Sequence, residues 1–218
     1  MPSSTEPGAP TMFTDQRPAW DRLLEGNRRW IEDRSTAAGD RGASRRAQLS
    51  QSQAPFALVV GCADSRVPAE ILFDQGLGDL FVVRTAGHVV DSATLGSVEY
   101  AVGMLGVSLI VVLGHEGCGA VAAATGVVDN AAVPAGYVRD IAERITPDVL
   151  RARYDGAKTA GEIGALHSLY TLDLLRERST VVDRAIGSGA LQAVAAQYCL
   201  STGAVTEVRN SARLLTAV

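Results

Sequence analysis

The chain has 218 residues, which is long enough for one domain with a full hydrophobic core. Hydrophobic residues make up 47% and charged residues 20%, as in ordinary globular proteins, and a formal net charge of -4 argues against a nucleic-acid or anionic-membrane partner. No apolar run approaches the roughly 20 residues that span a bilayer, and an odd number of cysteines, three, argues against a disulfide framework and for a reducing, cytoplasmic compartment.

The N-terminal part divides into a tail and a helical arm. Residues 1–17 are rich in Pro, Ser, Thr and Gly, which predicts a disordered tail ahead of a single domain at 18–218. From 19 to 34, apolar residues that include Trp20 and Trp30 recur at helical spacing. An amphipathic helix of this kind needs a surface to bury against. The residues leave open whether that surface belongs to its own domain or to a neighbouring subunit.

The middle of the chain alternates strands and helices. A flexible loop is expected at 35–44, followed by elements in this order: a helix at 45–53, a strand at 56–60, a helix at 68–73, a strand at 80–84, a helix at 92–105, a strand at 108–113 and a helix from 119 onward. The later part predicts helices at 137–145 and 161–178 and a terminal hairpin of 190–200 with 204–208. The alternation indicates an α/β fold with a central, mostly parallel sheet flanked by helices.

Soft metal ligands follow two of the predicted strands. Cys62 comes directly after the strand at 56–60, and His115 with Cys118 comes after the strand at 108–113. Because the carboxyl ends of parallel strands meet at one edge of a sheet, these side chains are expected to converge. Two thiolates and one imidazole suit Zn²⁺ and leave a fourth position open for chemistry. We therefore predict a catalytic site with one Zn²⁺ per chain; a closed structural zinc site and a Cys62–Cys118 disulfide are the alternatives.

An acidic and a basic residue accompany the first cysteine. Asp64 and Arg66 are separated by one residue, so a guanidinium fork is able to hold the carboxylate ionised and oriented. Freed from that clamp, Asp64 is also an oxygen ligand that can close the fourth position of the metal. Two roles are thus predicted for Asp64: it organises zinc-bound hydroxide, or it plugs the site in a closed state.

At these residues the sequence resembles the β-class carbonic anhydrases. Their pattern is Cys-x-Asp-x-Arg followed later by Gly-His-x-x-Cys-Gly, and both halves are intact here, with Cys62 and His115 53 positions apart. The resemblance implies the zinc ligands Cys62, His115 and Cys118, the catalytic dyad Asp64 and Arg66, and the substrate-binding residues Gln53, Phe81, Tyr100 and the backbone N–H of Gly119. The sequence departs at Val59, where a bicarbonate-inhibited subgroup has tryptophan; this argues against such inhibition.

The activity that the resemblance implies is reversible hydration of carbon dioxide to bicarbonate and a proton, with zinc as the cofactor. Members of the family are at least dimers with active sites at the subunit interface. A homo-oligomer, either a dimer or a dimer of dimers, is therefore expected, with the arm at 19–34 packing on a partner subunit. The alternatives are a zinc hydrolase of carbonyl sulfide or carbon disulfide and a non-catalytic structural zinc protein.

Three further residues carry weaker predictions. His88, in a glycine-containing loop, either relays protons to solvent or hydrogen-bonds to backbone. His167 is expected at the surface or an interface without a chemical role. Cys199 is expected to be a small buried residue in the terminal strand.

Overall fold

Five strands and eight helices form the part of the chain that the computed structural model describes, residues 18–209. The predicted tail at 1–17 lies outside these residues, as does 210–218. The strands are β1 Ala57–Cys62, β2 Leu80–Thr85, β3 Leu109–His115, β4 Gln192–Tyr198 and β5 Val205–Glu207. The helices are α1 Ala19–Ile31, α2 Ala43–Gln48, α3 Ala69–Leu72, α4 Ser92–Gly103, α5 Gly119–Asn130, α6 Val138–Tyr154, α7 Ala160–Arg178 and α8 Thr180–Gly187, with 3₁₀ turns at Ala37–Arg41 and Ala86–His88.

The strands form one sheet in the order β2-β1-β3-β4-β5, in which only β5 runs antiparallel to its neighbour. This confirms the predicted α/β fold. β1 and β3 lie side by side in the middle, and every residue of both is buried. Their nearly continuous apolar runs are typical of parallel strands that are covered on both faces. Since the two strands are parallel, their last residues, Cys62 and His115, emerge at the same edge.

Helices cover both faces of the sheet. On one face, Val59 and Val111 pack in a core with Ile145 of α6, and on the other, Leu58 and Ile110 pack with helices α4 and α8. α7 contributes buried residues to both cores. None of the helices within 18–209 is long and apolar enough to span a membrane.

The element predictions hold for most of the chain, and the differences have physical causes. α6 continues through Pro147 to Tyr154 instead of ending at 145, because Val149 and Ala152 extend its buried stripe. α8 was not predicted; its N-cap residue is Ser179, whose hydroxyl accepts a hydrogen bond from the amide of Val182. The terminal hairpin is confirmed, and its first strand also extends the parallel part of the sheet.

Helix α1 packs on its own domain. The side chain of Asn27 is buried, and its Nδ2 donates to the carbonyl oxygens of Leu72 (3.0 Å) and Gly203 (2.8 Å). Its Oδ1 accepts from the amide of Val205 at 2.9 Å. The ring of Trp20 packs edge-on against Phe73, with 6.4 Å between centroids. Trp20, Leu23 and Asn27 of the predicted arm are thus buried within the chain, whereas Ile31 is exposed, and packing of the arm on a partner subunit stays a prediction.

Buried Asp74 anchors the segment that was expected to be a flexible loop. Its carboxylate accepts hydrogen bonds from the amides of Thr36 and Ala37, and Arg29 Nε donates to its Oδ2 at 2.6 Å. Burial alone would raise the pKa of Asp74, but these donors outweigh it and lower the pKa below its usual value. Residues 36–41 are therefore fixed to the end of α3 rather than loose.

Replacing Asp74 by Asn should destabilise the protein by about 1–3 kcal/mol at neutral pH, because the buried donors lose a charged acceptor. A carboxyl whose folded-state pKa is lowered stabilises the protein above its unfolded-state pKa and loses this effect as the pH falls. The difference between wild type and Asp74→Asn in urea unfolding should therefore shrink below pH ~4. The exposed Asp21→Asn variant is the control; a pH-independent difference would contradict this account of Asp74.

Candidate metal centre

Three soft donor atoms meet at the carboxyl edge of the sheet. The donor atoms of Cys62, His115 and Cys118 all lie within 4.8 Å of one another, and all three residues are buried. β1 ends at Cys62, β3 ends at His115, and Cys118 is the N-cap residue of α5. The expected convergence of the two strand ends is confirmed.

The distance between the sulfurs distinguishes a metal site from a disulfide. Cys62 Sγ and Cys118 Sγ are 3.9 Å apart, and both cysteines are free. A disulfide bond measures about 2.05 Å, whereas two thiolates on one tetrahedral Zn²⁺ lie ~3.8 Å apart when each Zn–S bond is ~2.3 Å. The observed separation fits the metal site, and the disulfide alternative is not formed.

The orientation of the His115 ring leaves one nitrogen for a ligand. Nδ1 lies 2.8 Å from the carbonyl oxygen of Glu116, which can only accept, so Nδ1 carries the proton. Nε2 is buried without a hydrogen-bond partner among residues 18–209. A buried nitrogen lone pair that faces two sulfurs is costly unless it binds something. This tautomer is the one that metal-ligating histidines adopt when a carbonyl orients them.

The two thiols have opposite ionisation tendencies. A hydrogen bond from the Cys118 thiol lowers the pKa of Cys62, with further help from two backbone amides. The same contact raises the pKa of Cys118, because a second thiolate would face the first at short range in a buried place. Both sulfurs can ionise together only when a cation lies between them. The donor set is therefore suited to Zn²⁺ in its charge and in its atom types.

Gly87 supplies a backbone donor that the sequence did not indicate. Its N–H donates to Cys62 Sγ at 3.3 Å, and the N–H of Asp64 donates to the same sulfur at 3.4 Å. The φ of Gly87 is 62°, and a Cβ there would lie 2.7 Å from atoms of Ala120 and Ile145. Only glycine fits this position. The turn at Gly87 is therefore held next to the metal ligands.

Asp64 and Arg66 form the predicted pair. Arg66 Nε lies 3.0 Å from Asp64 Oδ1 and Arg66 Nη2 lies 2.7 Å from Oδ2, while the Arg66 amide donates to Oδ1 at 2.9 Å. These bonds lower the pKa of Asp64 well below its usual range, so the carboxylate stays ionised. Asp64 Oδ2 is 3.9 Å from Nε2 of His115, which places the pair directly beside the donor set.

Arg84 holds the backbone of the Cys62 loop. Its Nε donates to the carbonyl oxygen of Cys62 at 2.9 Å and its Nη2 donates to that of Asp64 at 2.5 Å. Arg84 lies outside both sequence motifs. The strand register explains these hydrogen bonds, because β2 pairs with β1 so that Arg84 lies opposite Gly61. Such a pairing is visible only once the sheet is formed.

The predicted substrate-binding residues are not all near the donor set within one chain. Gly119 begins α5 next to Cys118, and the first amides of a helix lack intrahelical acceptors. Phe81 and Tyr100 contact each other, with 6.1 Å between ring centroids. Phe81 lies opposite Leu58 in the register, so it is ~13 Å along the strand from Cys62. Tyr100 is 47% exposed and Gln53 is also exposed.

The structure corrects three weaker predictions. His88 is buried, and burial together with the neighbouring His167 lowers its pKa well below its usual value. Neither ring nitrogen has a partner within 18–209, so His88 neither reaches solvent as a relay nor hydrogen-bonds to backbone. His167 is also buried, against the expectation of a surface position. Cys199 lies partly exposed just after β4 and contacts Ser201 rather than the core.

The fold and the donor set together define an α/β protein with a buried two-sulfur, one-nitrogen metal centre. The family model described as carbonic anhydrase matches residues 57–205. A carbonic anhydrase of Mycolicibacterium smegmatis is 50% identical over 192 residues, which cover 88% of this chain and 92% of that protein.

Solved structures agree with the sequence comparison. The Coccomyxa β-carbonic anhydrase, solved with acetazolamide, has a TM-score of 0.67 at 30% identity and covers 85% of this chain and 84% of its own. A tetrameric β-carbonic anhydrase of Sordaria macrospora has the same fold, with a TM-score of 0.69 at 24% identity over 88% of this chain and 97% of its own. The chain belongs to the β-carbonic anhydrase family, which confirms the resemblance seen in its two motifs.

Replacing Gly87 by Ala should destabilise the fold by about 2–5 kcal/mol, because a left-handed residue costs ~1–2 and the overpacked Cβ another ~1–3. Gly106 is a matched control: its φ is 68°, and a Cβ there meets no described atom within 4 Å. Gly106→Ala should cost only the backbone part, ~1–2 kcal/mol. Urea unfolding of the zinc-loaded variants measures both, and equal losses would contradict the steric account of Gly87.

Proposed function

We propose that this protein catalyses the reversible hydration of carbon dioxide to bicarbonate and a proton, with one Zn²⁺ per chain held by Cys62, His115 and Cys118. The observation that carries the proposal is an ionised carboxylate, Asp64, clamped by Arg66 next to three converging soft donors. Membership of the carbonic anhydrase family supports it further. The free thiols fit a reducing compartment, and we propose the cytoplasm.

The residues of the chain have distinct roles in this reaction. Zinc, when bound, supplies a Lewis acid that lowers the pKa of water in its open position towards ~7. Asp64 accepts a hydrogen bond from the attacking oxygen and thereby aims its lone pair at the carbon of carbon dioxide. Arg66 keeps that carboxylate ionised and in place. The free N–H of Gly119, at the N-terminus of α5, donates to the substrate oxygen on which negative charge develops.

The clamp also bears on the closed state. With both of its oxygens bonded to Arg66, Asp64 is turned away from the role of a fourth ligand. Closing the site requires this pair to open, and the guanidinium of Arg66 is exposed. Water screens an exposed ion pair, so such a pair stabilises only weakly. We therefore propose that the described arrangement corresponds to the open, active form and that a closed form lies close to it in free energy.

We propose further that two chains complete each site. Gln53, Phe81 and Tyr100 match substrate residues of the family, yet Phe81 is remote from its own donor set and the other two side chains are exposed. Met104, directly after α4, is also exposed, and β2 is an edge strand of the sheet. A second copy that places these residues over the donor set is a homo-oligomer, a dimer or a dimer of dimers; the Sordaria relative is tetrameric.

Asp64→Asn should lower kcat for carbon dioxide hydration by about 10²-fold or more, because the neutral amide orients the attacking oxygen poorly. Stopped-flow assays with a pH indicator measure the rate, and zinc content per chain shows that the metal is retained. Asp129→Asn is the matched control, since Asp129 pairs with Arg153 at 2.7 Å, the same distance as Asp64 with Arg66.

Full turnover in Asp64→Asn would refute the role of the dyad. Sulfide release from carbonyl sulfide or carbon disulfide without carbon dioxide hydration would instead identify a hydrolase of sulfur analogues. Stoichiometric zinc with neither activity would identify a structural zinc protein.

Mixed oligomers of Asp64→Asn and Gln53→Ala chains should regain activity if Gln53 acts across the interface. In a mixed dimer, one site combines the intact Asp64 of one chain with the intact Gln53 of the other, while the second site carries both defects. Random pairing of equal amounts should therefore restore about a quarter of wild-type turnover. Co-expression with two different affinity tags allows the mixed species to be isolated. If the mixed oligomers are no more active than the two parent variants, Gln53 either acts in the site of its own chain or is not part of the site.

A further inference from the structure

A hydrogen-bonded pair of buried His167 and half-buried Asp148 reaches the metal centre from the side of the helices. His167 lies on α7 with only 2% of its surface exposed. Its Nδ1 is 2.7 Å from Oδ2 of Asp148 on α6, and its Nε2 is 2.9 Å from the carbonyl oxygen of Gly87. The amide of the same glycine donates to Cys62 Sγ at 3.3 Å. A continuous set of hydrogen bonds therefore joins Asp148 to the sulfur.

The hydrogen-bond partners of His167 determine which of its ring nitrogens donates to Gly87. A carbonyl oxygen only accepts hydrogen bonds, and an ionised carboxylate also only accepts. Nε2 of His167 therefore donates its proton to the carbonyl oxygen of Gly87, while Nδ1 faces the carboxylate of Asp148. The neutral ring of His88 stacks on the ring of His167, with 4.4 Å between centroids and 26° between planes. The stacked ring and the two hydrogen bonds together fix the plane of the His167 ring.

Hydrogen bonds and close packing together hold Gly87 in place. His167 holds its carbonyl oxygen, Cys62 accepts from its N–H, and Ala120 and Ile145 leave no room for a Cβ. Removing the donor on the carbonyl would free the turn to rotate. The N–H···S bond would then lengthen, and the sulfur would regain the negative charge that this bond withdraws.

We propose that Asp148 and His167 are a positioning pair that keeps the Gly87 amide on the Cys62 sulfur and thereby sets how strongly this thiolate donates to the bound metal. The inference rests on the proposed function for its effect on turnover, but its structural part concerns only metal binding. Outer partners of metal ligands change metal affinity or activity by about 10–100-fold when removed. His167 thus acts on the metal site through Gly87 and contacts neither the metal nor the substrate.

Two substitutions at His167 separate positioning from simple packing. The amide nitrogen of Gln occupies about the place of Nε2 and that of Asn about the place of Nδ1. His167→Gln therefore keeps a donor to Gly87, whereas His167→Asn keeps a partner for Asp148 and loses the donor to Gly87. Tyr170→Phe is the control on the same helix; it removes a 2.6 Å hydrogen bond from α7 to Asp155 without touching Gly87.

The primary measurement uses the Co²⁺-substituted proteins. In His167→Asn, the thiolate-to-cobalt charge-transfer band should move to lower energy, because the sulfur regains charge. Zinc should be lost to a chelator about 10-fold faster, because the turn no longer holds the Cys62 ligand in place and this outweighs the gain in charge. His167→Gln and Tyr170→Phe should resemble wild type in both readouts. Under the proposed function, kcat should fall in His167→Asn with little change in KM. A wild-type band and zinc-loss rate in His167→Asn, or equal changes in the Asn and Gln variants, would overturn the inference.

A measurement on the wild type keeps the inference testable if a variant fails to fold. In the ¹¹³Cd-loaded protein, the amide proton of Gly87 should show a scalar coupling to the metal through the N–H···S bond, and its absence would overturn the inference. The outcomes also separate the two proposals. If the cobalt spectrum changes in His167→Asn but the wild type does not hydrate carbon dioxide, only the proposed function is refuted. If the wild type is active but the His167→Asn spectrum is unchanged, only the inference is refuted.

Discussion

The structure depends on two buried sulfurs that cannot both be negative unless a cation lies between them. Cys62 and Cys118 are 3.9 Å apart in the interior, with the lone pair of His115 facing them. Without metal, one thiol must stay protonated and one imidazole nitrogen stays unpaired. A divalent ion removes both penalties at once. Folding therefore places these three donor atoms in an electrostatically unfavourable arrangement, and a bound metal ion makes it favourable.

The fold meets this constraint by bringing separate segments to one edge. Parallel β1 and β3 deliver Cys62 and His115, and α5 begins at the residue after Cys118. Backbone donors then surround the first sulfur, and Arg84 fixes the loop that follows it. The turn at Gly87 connects this edge to α6 and α7, so that the helical layer supports the position of a ligand and not only the core. Rigid placement of donors is what a site with an open position needs.

The carboxylate beside the metal centre is balanced between two partners. Asp64 is ionised and lies close to the donor set, yet it bonds to an exposed guanidinium on the other side. Because water screens that exposed pair, its stabilisation is small. In the proposed mechanism this balance lets one residue act as an acceptor when it is clamped and as a ligand when it is released. Under this proposal the chain needs no separate element to open and close the site.

The sequence by itself determined the α/β fold, the strand ends and the local pair of Asp64 with Arg66, because apolar runs set strands and both partners lie in one short loop. It did not determine what depends on distant packing. The docking of α1 on its own domain, the anchoring of the 36–41 segment by Asp74, the burial of His167 and the donor role of Gly87 join residues far apart in the chain. Hydrophobic periodicity carries no information about such polar contacts. Only the tertiary structure decides them, since each hydrogen bond forms after the helices and the sheet have packed.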